Sequence, residues 1–72
     1  MTEQIKKYVN EIYSFAKANN DDIGVAVDKL RPEAENQNEF KKAEELAKEY
    51  YFEIVKQRKE GKSVDEILDD IL

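Results

Sequence analysis

The amino-acid sequence predicts an all-α fold, a small three- to four-helix bundle organised around one long helix at about residues 39–60. Apolar residues recur every three or four positions, which is the period of one face of an α-helix. Glycine and proline together occur only at Gly24, Gly61 and Pro32, too few turn residues for an all-β fold. With 72 residues and no internal repeat, the chain is expected to form a single helical domain over residues 1–72.

The first helix is expected from about residue 3 to residue 19. Thr2 is suited to cap it, because a threonine hydroxyl accepts a hydrogen bond from a free N–H of the first turn. The polar run at 19–22 predicts the end of this helix and the cap of the next. Its apolar stripe consists of Ile5, Tyr8, Val9, Ile12, Phe15 and Ala16.

A second, short helix is predicted from Ile23 to Leu30. Pro32 disfavours helical geometry at Arg31 and therefore closes it. A helix of this length is marginal alone, so it must be stabilised by packing on the others. Residues 32–38 are polar and are interpreted as a loop or as the frayed first turns of the following helix.

The third helix, at about 39–60, is the longest. Asn38 is the expected N-cap, and Gly61 is the residue expected to end the helix. Its apolar residues cover about 180° of the helix, whereas one neighbour requires about 100°. We therefore interpret this helix as the centre of the bundle, or as a helix with part of its face reserved for another molecule. The arc consists of Phe40, Ala43, Leu46, Ala47, Tyr50, Tyr51, Ile54 and Val55.

The fourth helix is predicted to open with a capping box, Ser63 with Glu66 three residues later. Four acids lie on the side of this helix opposite its apolar stripe, and we interpret them chiefly as a solvated face. They are Asp65, Glu66, Asp69 and Asp70. Mimicry of nucleic-acid phosphates is a further hypothesis for these acids.

Composition excludes several classes of function. The absence of cysteine removes thiolate nucleophiles and zinc–cysteine sites, and the absence of histidine removes the usual base near neutral pH. A bundle of this size leaves little room for a substrate pocket. We expect no enzyme, no cofactor, no metal site and no small-molecule substrate. Since no apolar run approaches the roughly 20 residues of a membrane span, a cytoplasmic location without membrane contact is expected.

The functional hypothesis is based on an aromatic cluster, Tyr50, Tyr51 and Phe52 with Tyr13. Phe52 falls outside the apolar arc, among charged residues, and aromatic anchors beside cations are typical of protein interfaces. The sequence therefore favours a protein–protein interaction module, a small regulator, inhibitor or assembly factor, which binds a protein partner or a second copy of itself. In an isolated chain, Phe52 and one flank of Tyr51 should be exposed. The expected partner-binding residues are Tyr13, Tyr51, Phe52, Lys56 and Lys59.

The alternative is a small DNA- or RNA-binding regulator that uses the basic cluster Lys56, Arg58, Lys59 and Lys62. Cations are also expected at a helix C-terminus, where the helix dipole favours them. The net charge of −5 makes nucleic acid the less favoured partner. Lysine outnumbers arginine ten to two, which is common in AT-rich bacterial and phage genomes and suggests a phage or plasmid origin.

Overall fold

The computed structural model describes residues 2–71, and every regular element in that range is helical, which confirms the all-α fold class. Five α-helices and one 3-10 turn follow one another with short connections. They are α1 (Glu3–Lys17), α2 (Ile23–Leu30), the 3-10 turn (Arg31–Glu33), α3 (Gln37–Glu49), α4 (Tyr51–Lys59) and α5 (Val64–Ile71).

The N-terminal caps follow the sequence closely. The Thr2 hydroxyl accepts from the Ile5 N–H at 3.1 Å, and the Asp22 carboxylate caps α2. Ser63 accepts from the Glu66 N–H at 3.2 Å, as a capping box requires. These contacts fix where α1, α2 and α5 begin.

The cap of α3 differs from the prediction. Asn36, not Asn38, has the extended backbone of a cap, and its side-chain oxygen accepts from the Glu39 N–H at 3.0 Å. Both asparagines are suitable cap residues by type. The Tyr8 hydroxyl accepts from the Asn36 N–H at 3.1 Å, and this tertiary contact selects the earlier position.

Gly61 ends α4 in the predicted way. It has φ +100°, a conformation that a side chain at Cβ disfavours. The Gly61 N–H donates to the Arg58 carbonyl at 3.0 Å and the Lys62 N–H to the Gln57 carbonyl at 3.1 Å. This pair of bonds is a Schellman motif, which turns the chain back toward α5.

The centre of the bundle is α1, and the prediction that the third helix is the centre is wrong. α1 contributes more buried side chains than any other helix, and it packs against α2, α3 and α5. Its buried stripe is wider than predicted because Tyr13 lies within it, while Phe15 is only partly buried. The buried residues of α1 are Ile5, Tyr8, Val9, Ile12, Tyr13 and Ala16.

The predicted continuous helix over 39–60 is also wrong, because it is two helices that meet at Tyr50. Tyr50 has φ −104° and ψ 25°, outside helical geometry. Its N–H still donates to the Leu46 carbonyl at 3.1 Å, and its carbonyl accepts from the Ile54 N–H at 2.9 Å. The backbone therefore leaves helical geometry at one residue, while the N–H groups of the next three, Tyr51 to Glu53, begin a new helix.

A buried tyrosine uses a carbonyl that the break leaves free. Ala47 is among the last four residues of α3, whose carbonyls have no donor within their own helix. The Tyr13 hydroxyl, in a side chain only 1% exposed, donates to the Ala47 carbonyl at 2.6 Å. Three consecutive aromatic residues, 50–52, also favour helix only weakly. The break thus supplies a free acceptor where the core contains a hydroxyl.

The break also accounts for most of the wide apolar arc. α3 packs against α1 and α2, whereas α4 packs against α5, so the two halves bury their apolar residues against different neighbours. Four members of the arc are buried and the others are partly buried against the core. The buried four are Phe40, Ala43, Ala47 and Ile54, and the partly buried four are Leu46, Tyr50, Tyr51 and Val55.

Removal of the Tyr13 hydroxyl should destabilise the fold. Tyr13→Phe keeps the ring but leaves the buried Ala47 carbonyl without its donor, and we expect the free energy of unfolding to fall by about 1–2 kcal/mol. Urea denaturation followed by circular dichroism measures it. Tyr50→Phe is the matched control, because Tyr50 adjoins the break but is only partly buried. An equal loss in both variants would contradict a specific role for Tyr13.

Candidate functional site

Phe52 is the most exposed large apolar side chain of the described residues. It is 85% exposed at the second position of α4, and the next such residue, Val25, is 45% exposed. Its ring lies edge-on to the partly buried Tyr51 ring, with centroids 5.3 Å apart. The predicted exposure of Phe52 is confirmed, and Tyr51 keeps one side accessible. An aromatic ring in water forgoes about 2–3 kcal/mol that burial would supply.

Two lysines follow Phe52 along the same face of α4. Lys56 and Lys59 are four and seven residues further on, the spacing that aligns side chains on one side of a helix, and both are exposed. We call the set formed by Phe52, Lys56, Lys59 and the accessible side of Tyr51 the α4 face. The ion pairs found within residues 2–71 use other cations, namely Lys6, Arg31, Lys48, Arg58 and Lys62. The α4 face thus combines an aromatic ring with two cations that form no ion pair in that range.

Tyr13 does not belong to this face, which corrects the set of partner-binding residues. It is buried in the core, and its hydroxyl is bonded to Ala47. Burial raises the pKa of the Tyr13 phenol, so it stays neutral under all ordinary conditions. The periodicity of α1 contains a signal for this position, since Tyr13 follows Val9 by four residues and therefore adjoins the buried stripe.

Arg58 is engaged by contacts within the chain, so it does not act with the other cations of the basic cluster. Its guanidinium donates to the Tyr13 carbonyl at 3.1 Å and to the Asp21 carboxylate, and it lies 5.8 Å from the centroid of the Tyr13 ring. The Tyr51 hydroxyl donates to the Asp21 carbonyl at 3.0 Å. We call Asp21, Tyr51 and Arg58 the loop clamp, because they hold the α1–α2 loop against α4.

The loop clamp was missed by sequence reasoning. Asp21 adopts φ +60°, a left-handed conformation that aspartate tolerates better than most residues. The run of polar residues at 19–22 indicates a turn, yet it does not indicate which acid faces Arg58, 37 positions later. The clamp holds Tyr51, whose ring is in edge-on contact with the ring of Phe52.

Three of the four acids of α5 form hydrogen bonds or ion pairs with other parts of the chain. Asp69 accepts from Lys6 at 2.6 Å, which raises the pKa of the Lys6 ammonium, and Asp65 accepts from Asn10 at 2.5 Å. Lys62 pairs with Asp70 at 3.2 Å. These contacts join the acids to groups on α1 and in the α4–α5 turn, and all four acids remain exposed. Among residues 2–71, no group of three or more acids is arranged to hold a metal ion.

A surface cleft of about 380 Å³ lies beside α3 and the 3-10 turn, more room than we expected of so small a bundle. Glu44 lines it and accepts from Lys48 at 2.7 Å and Arg31 at 3.0 Å. The hydrogen bond from Lys48, followed by that from Arg31, lowers the pKa of Glu44. The charges of this cleft therefore balance one another. In the same range of the chain, no helix has the length and apolar character needed to cross a bilayer.

Comparison with known proteins yields no relative. No protein-family model, curated protein or solved structure matches this chain. The α4 face must therefore be interpreted from its own chemistry.

Alkaline pH should weaken the fold through Tyr13. Its folded-state pKa lies above the value of about 10 in an unfolded chain. The neutral Tyr13 phenol therefore makes its full contribution to the free energy of unfolding below about pH 10. As the pH rises further, this contribution falls by up to about 1.4 kcal/mol per pH unit, because the unfolded chain releases the proton first. Urea denaturation between about pH 8 and pH 11 should show the stability of the native chain converging on that of Tyr13→Phe. Parallel pH profiles would contradict the burial of the phenol.

Proposed function

We propose that this chain is a non-enzymatic protein–protein interaction module that binds a protein partner through the α4 face, as a small regulator, inhibitor or assembly factor. The supporting observation is that Phe52, 85% exposed, projects from a helix whose opposite side buries Ile54 in the core. A ring held on a regular helix loses little conformational freedom on binding, so more of its burial energy contributes to affinity.

The α4 face has the composition of an interface anchor. Aromatic side chains dominate binding hot spots, and charged residues at their rim speed association and discriminate between partners. Lys56 and Lys59 lie on the same side as Phe52. The matching surface would offer an apolar contact for the ring and carboxylates beside it.

A nucleic-acid partner receives less support. Of the four cations in the basic cluster, Arg58 is engaged by Asp21 and Lys62 by Asp70. Lys56 and Lys59 remain, on a chain with a net charge of −5. Two phosphate contacts are few for a duplex-binding protein, since typical ones make about 6–10.

Photo-crosslinking tests the α4 face. We expect a chain with benzoylphenylalanine in place of Phe52, expressed in its native cell, to form discrete covalent adducts with protein. The same probe at Val25, the other exposed apolar position, is the matched control and should give few. Adducts at position 52 should weaken when Lys56→Glu and Lys59→Glu are added, because the rim then repels an acidic partner.

The failure of binding must be separated from failure of folding. Phe52→Ser should change the free energy of unfolding by less than about 0.5 kcal/mol, because the ring makes few contacts within the chain. Urea denaturation checks this. The absence of adducts at position 52 both in the cell and in the purified chain at about 1 mM, or equal labelling at positions 52 and 25, would contradict the proposed function.

A further inference from the structure

We propose that the partner of the α4 face is a second copy of this chain, docked antiparallel across a two-fold axis that passes near Phe52. This inference depends on the proposed function and names its partner. It comes from the pattern of charge on either side of Phe52, which extends from α4 back into α3.

Five exposed residues form a continuous stripe along α3 and α4. They are separated by four, three, four and three positions, the heptad spacing of a helix–helix contact. The side chains that α3 and α4 bury keep the same spacing across the break, so the exposed stripe also continues through it. They are Phe40, Ala43, Ala47 and Ile54, with Tyr50 partly buried between the last two. The members of the stripe are Glu45, Glu49, Phe52, Lys56 and Lys59.

The stripe is acidic on one side of Phe52 and basic on the other. In an antiparallel pair with Phe52 at the axis, Glu49 faces Lys56 of the second copy, and Glu45 faces Lys59 of the second copy. Each contact occurs twice by symmetry, as in any isologous interface. A parallel arrangement would place like charges together, so the pattern selects the antiparallel one.

Neighbouring charges leave the pattern of the stripe in place, although the exposed acids Glu53 and Glu60 flank Lys56 one turn away. Lys48 also lies near Phe52, but its ammonium is held by Glu44 at 2.7 Å, one turn back along α3. The ion pairs within residues 2–71 involve none of the four charged members of the stripe. The stripe thus retains two acids and two bases for a copy with the same pattern.

The contact is small, so the dimer should be weak. One ring and four charged side chains on each copy form an interface below the roughly 1,200 Å² of stable complexes, and the net charge of −5 on each chain opposes association. We expect dissociation constants of about 0.1–1 mM at moderate salt.

Sedimentation equilibrium on the full chain, from about 10 µM to about 2 mM, tests this dimer. The native chain should associate, Phe52→Ser should abolish association, and Val25→Ser should leave it unchanged. Glu49→Lys alone and Lys56→Glu alone should each weaken association by about fivefold or more, because like charges then face each other. An equimolar mixture of these two variants should recover it, since each mixed pair again places lysine opposite glutamate.

A native chain that stays monomeric to about 2 mM would overturn the proposal, and so would a mixture that associates no better than its components. The crosslinking experiment tests the proposed function independently of the dimer. If the probe at position 52 forms adducts with a different protein while the chain is monomeric, the α4 face binds a partner that is not a second copy. If it forms neither adducts nor dimers, both proposals are wrong.

Discussion

A hydroxyl group that enters an apolar core must have an acceptor there, and in this protein that constraint acts at Tyr13. The Ala47 carbonyl meets it at 2.6 Å, and a carbonyl is free at that point because α3 ends at Glu49. An unpartnered buried hydroxyl would cost about 1–3 kcal/mol, a large part of the stability of a domain this small. The interruption at Tyr50 therefore leaves the Ala47 carbonyl with Tyr13 as its donor. It also turns one long amphipathic segment into two helices, of which α3 packs against α1 and α2, and α4 packs against α5.

The contacts around the break at Tyr50 also determine which side chains are exposed to solvent. Arg58 spans from the Tyr13 carbonyl to Asp21, and the hydroxyl of Tyr51 joins Asp21 as well. Polar groups near the break are therefore bonded inward, while Phe52, at the next position, is left in water. The result is a local reversal of the usual arrangement, with an arginine and a tyrosine half-buried and a phenylalanine exposed. That reversal is the physical basis for assigning an interaction to the α4 face.

The parts of the fold that depend on neighbouring residues could be predicted from the sequence. Thr2, Asp22 and Ser63 cap helices because of chemistry within three residues, and Gly61 ends α4 for the same kind of reason. The exposure of Phe52 could be predicted because its position on the helix separates it from the apolar arc. The break and the loop clamp could not be predicted, because the pairs Tyr13–Ala47 and Asp21–Arg58 join residues 34 and 37 positions apart. Helical periodicity alone continues through Tyr50, so it indicates neither the break nor the distant partners of Tyr13 and Arg58.

Hydrogen exchange of individual backbone amides, measured by NMR, tests the break directly. Tyr51, Phe52 and Glu53 form the first turn of α4, where N–H groups have no acceptor within their own helix, whereas the N–H groups of Tyr50 and Ile54 are bonded. We expect the three amides to exchange at least about tenfold faster than those of Tyr50 and Ile54. Uniform protection from residue 46 to residue 56 would show an uninterrupted helix, and it would contradict both the role of Tyr13 and the link between the break and the exposed ring of Phe52.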